Sequence, residues 1–407
     1  MKNIRLFNAI SFLKGLYFFI PIFTFFLLTK EISLSAIIIC QTFYSLFTFL
    51  GEVPTGIFAD KFGQKTSIVI GYILEAFGIV FVLIHPTTVG LYIAMAIRGL
   101  SDSFLSGSKE ALLFETVKHL KTNDYQKNYG RIISNEQIGF VIATALCGLG
   151  YQYFGESIFV PMIVLTGLAI FSCAVLSMFL TNYKTDILDQ SEGSKMFDVL
   201  RQSFSLIRKN ATILTLTIVG VLTITGEYFM QGVYQPYFQS HGVLPFWIGA
   251  SLSIGIILNV IATRYIYLLE KYFTLEKILL YLNGTLGLTY ILMSIFLHPV
   301  FLVGLYIVMN GIFNLQTPIV SDYINTRTKS SIRATVLSGI SFIRRFFQIF
   351  LTWAIGLSVG VFGTQTSLLI FGLYLLIGIA IGYYLLVRCG CTHKIINTGD
   401  DNFEFKS

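Results

Sequence analysis

Residues 34–84 read LSAIIICQTFYSLFTFLGEVPTGIFADKFGQKTSIVIGYILEAFGIVFVLI, two long apolar runs separated by a short link that contains glycine and charged residues. Each run is about 20 residues long, which is enough for a helix to cross a hydrocarbon core of about 30 Å. The link, residues 56–65, is too polar to lie within that core. The stretch therefore predicts a hairpin of two membrane-spanning helices.

The rest of the chain repeats this pattern. Of its 407 residues, 55% are hydrophobic and only 12% are charged, and the mean hydropathy is +0.74. Soluble domains carry about 25% charged residues, so a soluble enzyme is excluded. We predict an all-α membrane protein with twelve transmembrane helices, numbered here as spans 1 to 12. They begin near residues 7, 34, 66, 89, 131, 157, 211, 242, 275, 299, 333 and 363.

One long, charged connection divides these spans into two sets of six. We predict a first six-helix half over residues 1–180, a cytoplasmic linker over 181–210, a second half over 211–388 and a cytoplasmic tail over 389–407. Two pseudo-symmetric halves of this kind enclose a central cavity in secondary transporters.

The Lys and Arg residues predict the orientation. Of 28 such residues, five fall inside spans, and only Lys30 falls in an odd-numbered connection. The other 22 lie on the opposite side, so the positive-inside rule places both termini in the cytoplasm. The net charge of +7 is then explained without nucleic acid. We expect a monomer in the cell inner membrane.

No motif points to a cofactor or a metal. The chain has no P-loop glycine-lysine signature, so ATP is not expected to drive it. Cys389, Cys391 and His393 have the spacing of metal ligands but lack a second ligand pair. We therefore predict no metal site.

Charges near mid-membrane are the most informative residues. Facing lipid, each would cost about 2.5–3.5 kcal/mol, so they should face protein or water. Two interpretations are open: buried ion pairs that fix helix packing, or a pathway for substrate and protons. These charges are Glu75, Arg98, Asp102, Glu227 and Arg344.

Helical periodicity favours the pathway. Arg98, Asp102 and Lys109 fall on one face of span 4 at about 100° per residue. Spans 1, 7 and 10 also carry polar stripes, so every third helix has one; on span 1 it comprises Asn8, Ser11, Lys14 and Tyr17. The predicted pathway residues are Arg98, Asp102, Glu227, Gln231, Gln235, Tyr306, Asn310, Asn314, Glu52 and Arg344.

A second pair of stripes lies on spans 2 and 11 and could meet across the halves. They comprise Gln41, Ser45, Thr48 and Glu52 on one span, and Arg344, Gln348 and Thr352 on the other. Ordinary interhelical hydrogen bonds are an equally good interpretation. Small residues on span 5, from Gly139 to Gly150, are interpreted as helix packing.

The link between spans 2 and 3 resembles the loop signature of the major facilitator superfamily. The matching residues are Gly56, Asp60, Lys61, Gly63 and Lys65, with Gln64 where a basic residue is usual. The resemblance implies that Asp60 helps to hold the cytoplasmic ends of the halves together and is released during switching. The link between spans 8 and 9 keeps only Glu270 and Lys271 of this pattern.

Span 4 is also similar to proton-coupled members of the superfamily, which carry an arginine where Arg98 stands. Span 5 departs from the signature of the proton-coupled drug exporters, because it has no proline between Gly139 and Gly150. From the charges we expect Arg98 to hold Asp102 ionised until a proton competes. Glu227 and Glu52 are alternative proton carriers. Helix N–H groups at Ser330 to Arg333 are the predicted partners of Asp60.

These observations predict a proton-coupled secondary transporter of small organic solutes. Aromatic residues beside Glu227, among them Phe229, Tyr234 and Tyr237, favour efflux of amphipathic or cationic compounds. The alternative is uptake of a nutrient or siderophore. A membrane enzyme would have to rest on His119 and Asp124 in a charged connection, and a channel or sensor would not need the stripes. We predict no enzymatic activity.

Overall fold

A computed structural model describes residues 2–120, 125–183, 211–313, 315–327 and 330–388. Over these residues the protein is helical and has no strand. The helices are α1 (Lys2–Gly15), α2 (Phe23–Leu28), α3 (Leu34–Phe62), α4 (Gln64–Ile84), α5 (Thr88–Leu105), α6 (Ser108–His119), α7 (Tyr125–Phe154), α8 (Phe159–Ser177), α9 (Ala211–Ser240), α10 (Pro245–Tyr265), α11 (Tyr267–Tyr272), α12 (Leu275–Ile295), α13 (Pro299–Ile312), α14 (Gln316–Arg327) and α15 (Ser330–Arg388).

These helices supply all twelve predicted spans. In the described ranges, nine stretches are long and apolar enough to cross a membrane. Two of them, residues 125–177 and 339–388, have 53 and 50 residues, and each holds two crossings. The remaining span is span 4, whose first helix, α5, has its hydropathy lowered by Arg98 and Asp102. The predicted twelve-helix membrane fold is confirmed.

Most spans are single helices, but spans 1, 4 and 10 are each built from two. Span 1 combines α1 and α2, span 4 combines α5 and α6, and span 10 combines α13 and α14. Spans 11 and 12 are the two arms of α15, which turns at Gly363 with φ 76° and ψ 169°. The predicted linker core, residues 184–210, and the tail from residue 389 lie outside the described residues, as does Asp124.

The break in span 1 leaves backbone groups that need partners. The chain leaves α1 at Gly15, passes Pro21 in a short 3₁₀ turn and resumes as α2. Gln235 of span 7 satisfies the break: its amide donates to the Ile20 carbonyl at 2.7 Å and accepts from the Thr24 N–H at 2.9 Å. Buried backbone groups in a membrane protein require such internal partners.

The two halves meet along two pairs of spans. Span 2 runs against span 11, where the Ser35 hydroxyl donates to the Gly356 carbonyl at 2.6 Å. Span 5 runs against span 8, where the Thr144 and Ser253 hydroxyls lie 2.6 Å apart. Spans 2 and 11 therefore meet, but the facing of their polar stripes stays a prediction: among the described residues, Ser35 and Thr42 make the hydrogen bonds, and Glu52 pairs with Arg345 rather than with Arg344.

Glycines explain how closely span 5 packs. A Cβ at Gly139 would lie 2.4 Å from the Phe12 carbonyl oxygen of span 1. A Cβ at Gly249 of span 8 would lie 2.2 Å from the Thr144 carbonyl oxygen and 2.9 Å from the Gly148 Cα. Only a residue without a side chain permits this backbone approach, so the packing interpretation of span 5 is confirmed.

Candidate functional site

Two adjoining cavities lie among the spans that carry the predicted pathway. The first has a volume of about 220 Å³ and we call it the carboxylate cavity. It is lined by Lys14, Gly15, Tyr17, Ile20, Tyr44, Glu75, Arg98, Ser101, Asp102, Leu105, Glu136 and Phe140. All of these belong to the first half.

The second cavity lies between the halves. It has a volume of about 270 Å³, and we call it the amide cavity. It is lined by Phe19, Ile20, Phe23, Thr24, Ile37, Gln41, Tyr44, Met95, Arg98, Tyr228, Gln231, Gly232 and Gln235. Ile20, Tyr44 and Arg98 line both cavities, so Arg98 stands at their junction.

A buried ion pair lies in the wall of the carboxylate cavity. The Lys14 ammonium of span 1 and the Tyr17 hydroxyl both donate to Oε1 of Glu75 on span 3. Oε2 of Glu75 is buried, and the described residues offer it no hydrogen-bond partner. Both charges are visible in the sequence, but their pairing is not, because the residues are 61 positions apart on different helices.

Arg98 does not pair with Asp102, so that part of the sequence prediction is wrong. Its guanidinium carbon lies 5.8 Å from the ring centroid of Tyr17 and 5.9 Å from that of Phe19. Its Nη1 donates to the Met95 sulfur at 3.5 Å. Helical side chains lean toward the N-terminus of their helix. Arg98 therefore extends away from Asp102, which lies one turn towards the C-terminus.

The partner of Asp102 comes from the other half. Arg345 of span 11 donates through Nε to Glu52 Oε1 of span 2 at 2.9 Å, and its Nη1 lies 3.7 Å from Asp102 Oδ2 of span 4. We call these three residues the inter-half bridge. Arg344, a predicted pathway residue, has its side chain against span 7, with Nε 3.3 Å from where a Cβ at Gly220 would be. Neighbouring residues on a helix point about 100° apart, so Arg345 points at Glu52 and Asp102 whereas Arg344 does not.

The stripe on span 7 divides between the cavity and the core. Gln231 is exposed and lines the amide cavity. Gln235 also reaches its wall, but its amide is engaged by the break in span 1. Glu227 is half-buried and lines neither cavity.

The stripe on span 10 belongs to the core of the second half. Tyr306 is buried and stacks on Tyr234, with ring centroids 4.6 Å apart. Asn310 donates to the Tyr306 carbonyl of its own helix at 2.9 Å. Neither lines the carboxylate cavity or the amide cavity, so their place in the pathway stays a prediction; Asn314 lies outside the described residues.

The link between spans 2 and 3 is a tight turn. Gly63 ends α3 with φ 92°, a conformation that favours glycine. Gly56, Asp60 and Lys61 are exposed. The side chains from Ser330 to Arg333 lie outside the described residues, so the predicted contact of Asp60 stays a prediction.

Residues 6–344 match the Major Facilitator Superfamily. The chain belongs to the major facilitator superfamily. A curated relative is an uncharacterized MFS-type transporter, YxaM, of Bacillus subtilis (strain 168), with 24% identity over 390 residues that cover 92% of this chain and 94% of the relative. The protein is therefore a multi-pass membrane transporter of small solutes.

Solved structures share the fold. The nucleoside transporter NupG is similar with a TM-score of 0.78 and 15% identity, over 95% of this chain and 99% of that one. The POT family transporter PepTSo is similar with a TM-score of 0.72 and 12% identity, over 96% of this chain and 98% of that one. At these identities the likeness concerns the fold.

Proposed function

We propose that this transporter couples the movement of a small organic solute to protons, as a monomer in the inner membrane with both termini in the cytoplasm. The observation that carries the proposal is the inter-half bridge. Arg345 belongs to the second half, while Glu52 and Asp102 belong to the first. A titratable carboxylate thus takes part in a contact that has to change when the halves move apart.

Asp102 is the proposed proton carrier. It lines the carboxylate cavity, and 40% of its side chain is exposed, so a proton can reach it. When Asp102 is protonated, its attraction to Arg345 loses the charge-assisted part, and separating the halves costs less. Glu52, at 2.9 Å from Arg345, keeps the halves aligned while Asp102 changes its charge.

The geometry supports a small substrate with polar groups. The amide cavity, at about 270 Å³, is below the range of about 300–1,000 Å³ that drug-sized ligands occupy. Gln41 and Gln231 offer it hydrogen bonds. Phe229, Tyr234 and Tyr237, which favoured a cationic compound, are buried and line neither cavity. Efflux and uptake differ only in the direction in which the carrier reorients with the solute bound. Export stays a prediction.

Reconstituted vesicles test this function. Purified protein is placed in vesicles, and a panel of dyes, antibiotics, nutrients and chelators is screened for movement under an imposed pH gradient. One pH unit stores about 1.4 kcal/mol per proton, which supports up to about tenfold accumulation for one proton per solute. We expect accumulation that a protonophore abolishes. Equal accumulation with and without the gradient, for every solute that moves, would contradict proton coupling.

A further inference from the structure

Arg98 is the only charged residue among the thirteen described residues that line the amide cavity. The other twelve are aromatic, aliphatic, amide, hydroxyl, thioether or glycine residues. The described lining therefore offers a ligand one positive charge and no negative one. This distinguishes the amide cavity from the carboxylate cavity, whose lining includes Glu75, Asp102 and Glu136.

The guanidinium of Arg98 has weak partners in the part of the chain that is described. Its Nε is buried without a hydrogen-bond partner, its Nη1 donates to the Met95 sulfur, and the Tyr17 hydroxyl is a further polar neighbour of the guanidinium. No described carboxylate oxygen lies within 4.0 Å of it. Arginine carries five N–H donors and stays charged, so much of its bonding capacity is unused.

Two carboxylates of the carboxylate cavity, Glu75 and Asp102, already lie beside other cations. Glu75 accepts from Lys14 and Tyr17, and Asp102 lies beside Arg345. Glu136 lines only the carboxylate cavity and makes no ion pair with Arg98 within the described ranges. A cation held at membrane depth without a counter-ion is costly, and an anion supplied by the ligand offsets that cost.

We propose that the amide cavity binds the carboxylate of a small organic acid at Arg98, and that the transported solute is a monoanion with a planar or aromatic body. This rests on the proposed transport function and names its substrate class. A carboxylate accepts two parallel N–H bonds from one guanidinium, which fixes its orientation. Phe19, Phe23, Tyr44 and Tyr228 provide aromatic surface beside it, and Gln41 and Gln231 provide amides.

The site also joins the two halves. Arg98 and Tyr44 come from the first half, whereas Tyr228 and Gln231 come from the second. A solute held by both sets of residues would link carboxylate binding to the relative position of the halves. A cationic solute would instead be repelled by Arg98.

Three probes of nearly equal shape test the charge preference: benzoate, benzamide and benzamidinium. Each is titrated into the purified full-length protein, and the midpoint of thermal unfolding is measured, since a ligand that binds the folded state raises it. We expect benzoate to stabilise the protein saturably, with an affinity at least about tenfold higher than that of benzamide. Benzamidinium should have no effect.

Variants locate the binding. Arg98→Gln should weaken benzoate binding by at least about tenfold, Arg98→Lys should weaken it less, and Arg264→Gln, which changes an exposed arginine at the end of span 8, should bind as the unmodified protein does. If Arg98→Gln does not fold, the three probes on the unmodified protein still decide the question.

Three results would overturn the proposal without favouring another solute, and a fourth would favour a cationic one. The three are equal stabilisation by benzoate and benzamide, undiminished benzoate binding to Arg98→Gln, and no benzoate effect up to about 10 mM, where even weak ligands bind. Benzamidinium binding better than benzoate would overturn it in favour of a cationic solute. Benzoate binding at Arg98 without any pH-driven transport would refute proton coupling but would still support the carboxylate site at Arg98.

Discussion

Lys14 and Glu75 are a pair of opposite charges buried within the first half, with Tyr17 donating to the same carboxylate oxygen. Removing one partner of a buried pair leaves an uncompensated charge, which typically costs about 3–5 kcal/mol. We expect Lys14→Met to lower the free energy of unfolding by that amount, measured by titrating the purified protein with a denaturing detergent.

A double variant provides the control for that loss. Lys14→Met with Glu75→Leu removes both charges and should recover most of the stability, because an apolar pair of similar size is often as stable as the ion pair. A single variant that unfolds at the same detergent concentration as the unmodified protein would show that the pair contributes nothing to stability.

The charges of single residues could be predicted from the sequence, but their partners could not. Periodicity correctly marked Arg98 and Asp102 as non-lipid residues on one stripe. It could not tell that Arg98 leans toward Met95 while Asp102 faces Arg345 of the other half. Partners on distant helices depend on how the helices pack, which the period of one helix does not contain.

Among the elements, the broken first span depends on one side chain from the other half. Gln235 satisfies the Ile20 carbonyl and the N–H groups of Thr24 and Phe25, at 2.7, 2.9 and 3.4 Å. Gln235→Leu would take the acceptor from the Thr24 and Phe25 N–H groups, at about 1–3 kcal/mol each, while the Ile20 carbonyl would keep the Phe23 N–H. We expect a loss of about 2–5 kcal/mol in the free energy of unfolding.

Gln231→Leu is the matched control, four residues earlier on the same helix. The described residues form no hydrogen bond with the Gln231 side chain, so its replacement should change stability by less than about 0.5 kcal/mol. Equal effects of the two substitutions would contradict the assignment of Gln235 to the break in span 1.

The contact between spans 5 and 8 gives a prediction of its own. At Gly249, an added methyl group would meet the Thr144 carbonyl oxygen at 2.2 Å, whereas at Gly304 it would enter open space. Gly249→Ala should therefore lower the midpoint temperature of thermal unfolding. Gly304→Ala should leave it unchanged or raise it, because alanine favours a helix by about 0.5–1 kcal/mol. A midpoint for Gly249→Ala at or above that of Gly304→Ala would contradict the close crossing.

The elements themselves were predictable to the extent that hydropathy determines them. All twelve spans follow from apolar length, and the predicted start of span 12 near residue 363 coincides with the turn at Gly363. The breaks in spans 1 and 10 were not predicted. Each is stabilised by a side chain from another span, Gln235 for span 1 and Asn259 for span 10, and a single run of sequence does not show such support.

For the whole molecule, the distribution of Lys and Arg residues predicts the orientation in the membrane. Of the 28 Lys and Arg residues, 22 lie on the predicted cytoplasmic side and one on the other. In a background with Cys389 and Cys391 replaced by serine, a membrane-impermeant maleimide should label Ser240→Cys in intact cells. It should label Lys121→Cys only after permeabilisation. Labelling of both positions from the same side would refute the topology.

The central claim for the whole molecule is that a proton on Asp102 releases the inter-half bridge. The direct measurement compares uphill transport with exchange in vesicles that contain Asp102→Asn, using a solute found in the screen. The amide cannot change its charge, so uphill transport under a pH gradient should be lost. Exchange at equal concentrations should persist, because exchange needs only the loaded carrier to reorient. Glu156→Gln, the same chemical change at an exposed carboxylate, should behave as the unmodified protein. Uphill transport by Asp102→Asn would contradict the account.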